Sequence, residues 1–205
     1  MTNTKRSTQI TVKGALLVAI AFVFTYFEFP IIPSVPWLKL DFSMVPLLLG
    51  ALALGPGTGV LLTALLQLLL TVTKSSTGGI GEIANFIVIG TMILVVSLVY
   101  RRNRTTRGLI IGLGLGTVAF TIAAIIANKF ILVPLFFPGE FPGGAAAYQS
   151  YLYQAVPLFN VIKGLAASAV SLVAYSKLAK FLNVESMKVG AMNDLHKLSN
   201  AAPKQ

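Results

Sequence analysis

Ala51-Leu52-Ala53-Leu54-Gly55-Pro56-Gly57-Thr58-Gly59-Val60 lies at the centre of an apolar stretch, Phe42–Val72, whose reading decides how often the chain crosses a membrane. That stretch has 31 residues. As a single helix it would be about 46 Å long, against a hydrocarbon core of about 30 Å. Gly55-Pro56-Gly57 interrupts it, because proline lacks an amide donor and clashes with the preceding turn. The spacing predicts two short helices, Phe42–Leu54 and Gly59–Val72.

Outward from that break, apolar runs at Thr11–Phe27, Glu82–Tyr100, Gly108–Val133 and Pro157–Leu182 predict four further spans. The connector Glu28–Asp41 holds Pro30, Pro33, Pro36 and Trp37, so it is stiff rather than floppy. Thr73–Gly81 and Pro134–Val156 read as loops. The expected architecture is an all-α membrane protein of six transmembrane helices over residues 1–182. Its N- and C-termini are cytoplasmic, and a polar cytoplasmic tail covers 183–205.

Charge tests this topology. With six spans the inner side carries Lys5, Arg6, Lys13, Arg101, Arg102, Arg104, Arg107, Lys177, Lys180, Lys188, Lys197 and Lys204. The outer loops keep Lys39 and Lys74, and Lys129 and Lys163 lie within spans. Merging Phe42–Val72 into one span would put the four arginines outside, against the rule that inner loops are basic. The formal charge of +10 therefore reflects membrane topology, not nucleic-acid binding. Composition agrees: 56% of residues are hydrophobic and 11% charged, where soluble domains have about 25% charged. Cysteine is absent, so no disulfide framework or thiolate chemistry exists. Lys5, Arg6 and Lys13 ahead of an apolar run resemble a signal peptide. No small-residue cleavage site precedes Glu28, which predicts an uncleaved first span.

Polar residues inside spans point to function. Asn160 and Lys163 are three apart and share a helix face, with Pro157 suited to the first turn. Two readings stand: Lys163 snorkels to the headgroups, or amide and ammonium cradle a polar, planar ligand. In the six-span topology Asn85, Asn128 and Lys129 fall at a similar depth on the outer side, giving a substrate pocket there. Glu82, three before Asn85, either caps its helix or joins the pocket. The loops holding Trp37 and Tyr148–Tyr153 could cover it.

Other motifs exclude classes. Gly112-x-Gly114-x-Gly116 has no preceding strand, and Gly108, Gly112 and Gly116 at intervals of four make a face for close helix packing. Gly78-Gly79-Ile80-Gly81 lacks the Gly-Lys-Ser/Thr ending of a phosphate loop, so no ATPase is encoded. His196 stands alone in the tail, and the acidic residues are scattered. An intramembrane enzyme or a metal site would need them clustered, so no catalytic or metal-binding residue is assigned. Ala15 and Ala19 form a small-residue pair on span one.

Leu40-Asp41-Phe42-Ser43-x-Val45-Pro46, Ala53-Leu54-Gly55-Pro56, Thr77-Gly78-Gly79-Ile80-Gly81-Glu82-x-Ala84-Asn85-Phe86 and Asn160-x-x-Lys163-Gly164 resemble the riboflavin-binding S components of energy-coupling factor vitamin importers. The resemblance covers Thr11 to Leu182. It implies six helices in a bacterial cell membrane and riboflavin as cargo, with no cofactor. It also implies partnership with a transmembrane coupling protein and two ATPase subunits. Asn128, Asn160 and Lys163 would meet the isoalloxazine ring, with Asn85 and Glu82 in the same pocket. Trp37, Leu40 and Asp41 would belong to the covering loop, and Ala15 and Ala19 to the contact with the coupling protein. The alternatives are an S component for another vitamin and a stand-alone flavin carrier. The latter would need a relay of acidic residues inside spans, and none is visible. Two departures stand out. Met44 replaces a frequent acidic residue, and Thr63–Leu68 is nearly apolar, which argues against a polar role for span three.

Overall fold

The computed structural model describes residues 3–175 and 177; the predicted tail 183–205, with His196 and the last lysines, lies outside them. The chain divides into a unit Met1–Ser171, which holds every candidate site residue, and a unit from Leu172. Helix α1 spans Asn3–Phe24, α2 Met44–Leu54, α3 Pro56–Thr73 and α4 Ile80–Arg102. Helix α5 runs through Thr106–Phe136 and α6 through Gly144–Tyr175. Helices α3 to α6 are each long and apolar enough to cross a membrane, while the apolar part of α1 (Thr8–Phe24) and α2 are shorter.

The break at the glycine-proline pair is real. Gly55 sits at φ +104°, a conformation that a side chain disfavours, and Pro56 opens α3 where its missing N–H costs nothing. Helices α2 and α3 then fold back on one another, with α1 and α4 alongside. Helix α4 packs extensively on α5. Gly112 and Gly116 make it possible: a Cβ at Gly116 would come 2.4 Å from Val96 Cγ2, and one at Gly112 3.1 Å from the Val96 carbonyl oxygen. The glycine face is therefore a packing face, as its spacing predicts.

Three expectations need correction. The connector after α1 is not all coil. Phe29 pairs with Leu40 and Pro30 with Lys39 in a short antiparallel ribbon, β1 (Phe29–Pro30) with β2 (Lys39–Leu40). Proline is tolerated there because each strand is at an edge. Residues 134–156 are not one loop either, since α5 continues to Phe136 and α6 begins at Gly144. Consequently Pro157 is not in a first turn; it lies well inside α6.

The helices tolerate these internal prolines by widening the turn before each one. Asn128–Leu132 and Tyr151–Ala155 are π-helical, with the N–H of Val133 reaching Asn128 O and that of Val156 reaching Tyr151 O. Pro134 and Pro157 follow directly. Each would clash with the carbonyl four residues back, Phe130 or Tyr153, in a regular α-helix. Both carbonyls fall within the widened turn, which relieves the clash.

Gly116→Val should lower stability by about 1–3 kcal/mol through overpacking against Val96. Gly114→Val, with nothing within 4 Å of its added Cβ, should be close to neutral. Thermal unfolding in detergent checks the pair; equal melting points would remove the packing role of this face.

Candidate functional site

A cavity of about 610 Å³ opens among the ends of α1, α3, α4, α5 and α6 and the β1–β2 ribbon. Its size falls in the range typical of small-molecule sites. Asn85, Glu82, Asn128, Asn160, Lys163, Trp37 and Asp41 all line it. Leu40, in β2, does not line it, though it is buried. Lys129 is exposed, with its Nζ 5.4 Å from the Phe130 ring centroid. The helical offset of about 100° between neighbours separates it from buried Asn128.

Lys163 is the centre of the geometry. Its side chain is 10% exposed and its Nζ lies 2.7 Å from Asp41 Oδ2, with Lys39 O at 3.4 Å. A lysine paired in this way is not snorkelling. Asp41 in turn accepts from the Ser43 backbone N–H at 2.8 Å, which fixes the turn into α2. Burial alone would push the Asp41 carboxyl up. The Lys163 charge, the Lys163 hydrogen bond and the Ser43 hydrogen bonds outweigh that and hold it below its ordinary value.

The amides are held by their own helices. Asn128 Nδ2 donates to Ala124 O and Asn160 Nδ2 donates to Val156 O, both at 2.8 Å. Each side chain is thereby oriented, with its Oδ1 and a second Nδ2 hydrogen left over. Asn128 Oδ1 accepts from the Tyr151 hydroxyl, which itself accepts from Trp37 Nε1 at 3.3 Å. Asn128 and Tyr151 are the first residues of the two π-turns, so the widened turns are what bring them together. Phe141 stacks on Tyr151 with centroids 5.3 Å apart, and the Trp37 ring lies 5.9 Å from Tyr151. Three separate segments thus form one aromatic rim.

On the opposite wall, Glu82 reaches the cavity, but its Oε2 accepts from Ser75 Oγ and Thr77 Oγ1 at 2.9 and 2.8 Å. Its carboxylate ties down the α3–α4 loop. Glu28 bridges Lys39 and Lys74 at 2.9 and 3.0 Å, joining ribbon to α3. Burial raises the Glu28 carboxyl, but the two lysines hold it below its ordinary value. Gln67 of α3 also lines the cavity and is buried. A polar residue of span three, a role its nearly apolar sequence put in doubt, thus lies at the cavity. Thr63–Leu68 reads as nearly apolar because within it Gln67 alone lines the cavity, and periodicity alone does not say which side of α3 faces it.

Tyr151 was legible only as part of a covering loop. The repeat Val133-Pro134-Leu135-Phe136 and Val156-Pro157-Leu158-Phe159 was the available signal, as proline inside an apolar run widens the turn before it.

A family model described as the substrate-specific component of ECF transporters matches residues 10–175. The chain belongs to the ECF transporter substrate-specific components. This substrate-specific component is 37% identical over 169 residues to the riboflavin transporter RibU of Staphylococcus aureus (strain TCH60), covering 82% of this chain and 89% of that one. It is 32% identical over 191 residues to RibU of Streptococcus thermophilus, covering 89% and 86%. It is 33% identical over 175 residues to the riboflavin transporter FmnP of Bacillus subtilis, covering 82% and 90%. A solved structure of the S component of a bacterial ECF transporter superposes with a TM-score of 0.73 at 32% identity, covering 86% of this chain and 98% of that one. A multi-pass helical membrane protein of the S-component fold is thereby shown.

Asp41→Asn should destabilise this component by about 3–5 kcal/mol, because it leaves Lys163 buried without its counter-charge. Adding Lys163→Met should restore most of the loss, and thermal unfolding of the four proteins of this cycle reads the coupling. The sign in pH follows from the depressed Asp41 value. Its contribution is complete above the ordinary carboxylate value and is lost as pH falls through the lower folded one. The double variant should show a weaker acid loss; an unchanged acid profile would remove the pair from that role.

Proposed function

We propose that this chain captures riboflavin on the outer side of a bacterial cell membrane and passes it inward. Transport is driven by a separate module of a transmembrane coupling protein and two ATPase subunits. The observation that carries the reading is the convergence of Asn128, Asn160 and Lys163 on one cavity. The riboflavin transporters among its relatives support it. The imide edge of an isoalloxazine ring offers two acceptors and a donor. Lys163 can donate to a carbonyl, and an asparagine Oδ1 can accept the imide hydrogen. The apolar lining, with Val88, Ile89, Leu132 and Phe159, suits the dimethylbenzene end. Riboflavin is cargo here, and no cofactor or catalytic residue is invoked.

Charge supports the orientation. The cavity meets α4 at Glu82 and Asn85, while Arg101 and Arg102 end the same helix about 30 Å away. Since basic loops stay inside, the reading has the cavity outside and both termini inside. On this reading residues 1–182 are the membrane domain and 183–205 a polar cytoplasmic tail, which lies outside the described residues.

In detergent the protein should bind riboflavin one to one. Trp37, the single tryptophan, lines the cavity, so its fluorescence should be quenched on titration. Tight binding of a different vitamin with no response to riboflavin would sink the reading. Lys163→Met should weaken riboflavin about tenfold or more, whereas Lys129→Met should not. The Asp41→Asn/Lys163→Met protein, whose stability is restored, should keep the affinity loss.

Ala15 and Ala19 are exposed on α1, away from the cavity lining. Small residues allow close helix approach, so this face is the proposed dock for the coupling protein. Replacing both by tryptophan should abolish co-purification with the coupling module and leave riboflavin binding intact. Continued ATP-dependent uptake by that variant would move the dock elsewhere.

A further inference from the structure

The turn between α4 and α5 carries positive charge that no described residue neutralises. Arg101, Arg102, Arg104 and Arg107 are all exposed, as is the rest of 101–107. No ion pair reaches any of them among the described residues. The described carboxylates lie elsewhere: Glu28, Asp41 and Glu82 line the cavity, and Glu140 follows the far end of α5. Keeping a loop inside requires only positive charge, and this chain otherwise supplies it mostly as lysine. Of its 16 basic residues five are arginine, and four of those five stand in this turn. The two residue types differ in chemistry. A guanidinium grips a phosphate through two parallel hydrogen bonds and is weakly hydrated, whereas an ammonium acts as a point charge.

The turn also fixes their depth. Helix α4 has 23 residues, about 34 Å of helix against a hydrocarbon core of about 30 Å. Arg101 and Arg102 end it, and α5 starts at Thr106 after three residues. Thr105 Oγ1 accepts from the Gly108 N–H at 3.1 Å and donates to Asn103 Oδ1 at 3.0 Å. A Cβ at Gly108 would overlap the Asn103 carbonyl oxygen, so the turn closes tightly. A turn this short keeps its arginines at the level of the lipid headgroups. We propose that the α4–α5 turn is a binding surface for anionic phospholipid, its guanidiniums engaging headgroup phosphates at the membrane face remote from the cavity. That face is cytoplasmic in the orientation proposed above. The surface does not depend on the cargo and requires only that α4 and α5 span the bilayer.

The probe is dioctanoyl phosphatidylglycerol, titrated into the full-length protein in detergent. Native mass spectrometry counts the retained lipid, and thermal unfolding is followed alongside. Phosphatidylglycerol should bind and raise the melting temperature, while phosphatidylcholine of the same chain length and free glycerol phosphate should do neither. Arg104→Gln with Arg107→Gln should weaken phosphatidylglycerol about fivefold for each arginine removed. Lys129→Gln, at the other end of α5, should leave it unchanged. Replacing all four arginines by lysine keeps the charge that sets topology and should still weaken the lipid severalfold. If the glutamine variant does not fold, the lysine variant decides. Equal affinity in the lysine variant would reduce the turn to a topological signal and overturn the proposal. Glycerol phosphate binding as tightly as the lipid would make the ligand a soluble phosphate and overturn it too. Unchanged lipid binding with lost co-purification of the coupling module would overturn it by assigning the arginines to an acidic protein partner.

Discussion

The Asp41–Lys163 ion pair is the contact on which the site depends. An ammonium in the middle of an apolar helix is tolerable only if its charge is compensated, and Asp41 compensates it at 2.7 Å. The same carboxylate caps the turn at Ser43 that starts α2. One residue therefore anchors the connector, begins the next helix and neutralises the cavity's cation. The ribbon takes part because Lys39, one residue before Leu40 in β2, presents its carbonyl to Lys163 and its own ammonium to Glu28. The connector is thus held by ion pairs at Glu28 and at Asp41, with Trp37 between them in the chain.

Two prolines supply the second constraint. Pro134 and Pro157 impose widened turns in α5 and α6, and these turns present Asn128 and Tyr151 to one another. The hydroxyl of Tyr151 links the asparagine of α5 to the tryptophan of the connector. A change in the position of Trp37 is therefore felt at Asn128 through two hydrogen bonds, both within the cavity lining. This places the connector and an amide of the cavity lining in a single bonded chain.

The other end of the molecule is built for a different task. Close packing at Gly112 and Gly116 makes α4 and α5 a tight pair, while α1 keeps the small residues Ala15 and Ala19 exposed. That exposed pair is not part of the cavity lining.

Patterns local in the chain were legible from sequence. The Gly55-Pro56-Gly57 break, the basic loop at Arg101–Arg107 and the length of each apolar run determine six helices, since hydrocarbon thickness and backbone geometry leave few alternatives. Asn160 and Lys163 were visible because polar residues in apolar helices are expensive. What only the tertiary structure decided was which partners meet. Lys163 finds Asp41 across 122 positions of chain, and no local pattern selects a pairing that distant. Nor does composition say that Gln67 faces the cavity while Leu66 and Leu68 do not, because that depends on the rotation of α3 about its axis, fixed by its packing on α1, α2 and α4. The termini of α5 and α6 followed the same rule: proline reads locally as a helix end, but a widened turn and neighbouring helices allow the helix to continue through it.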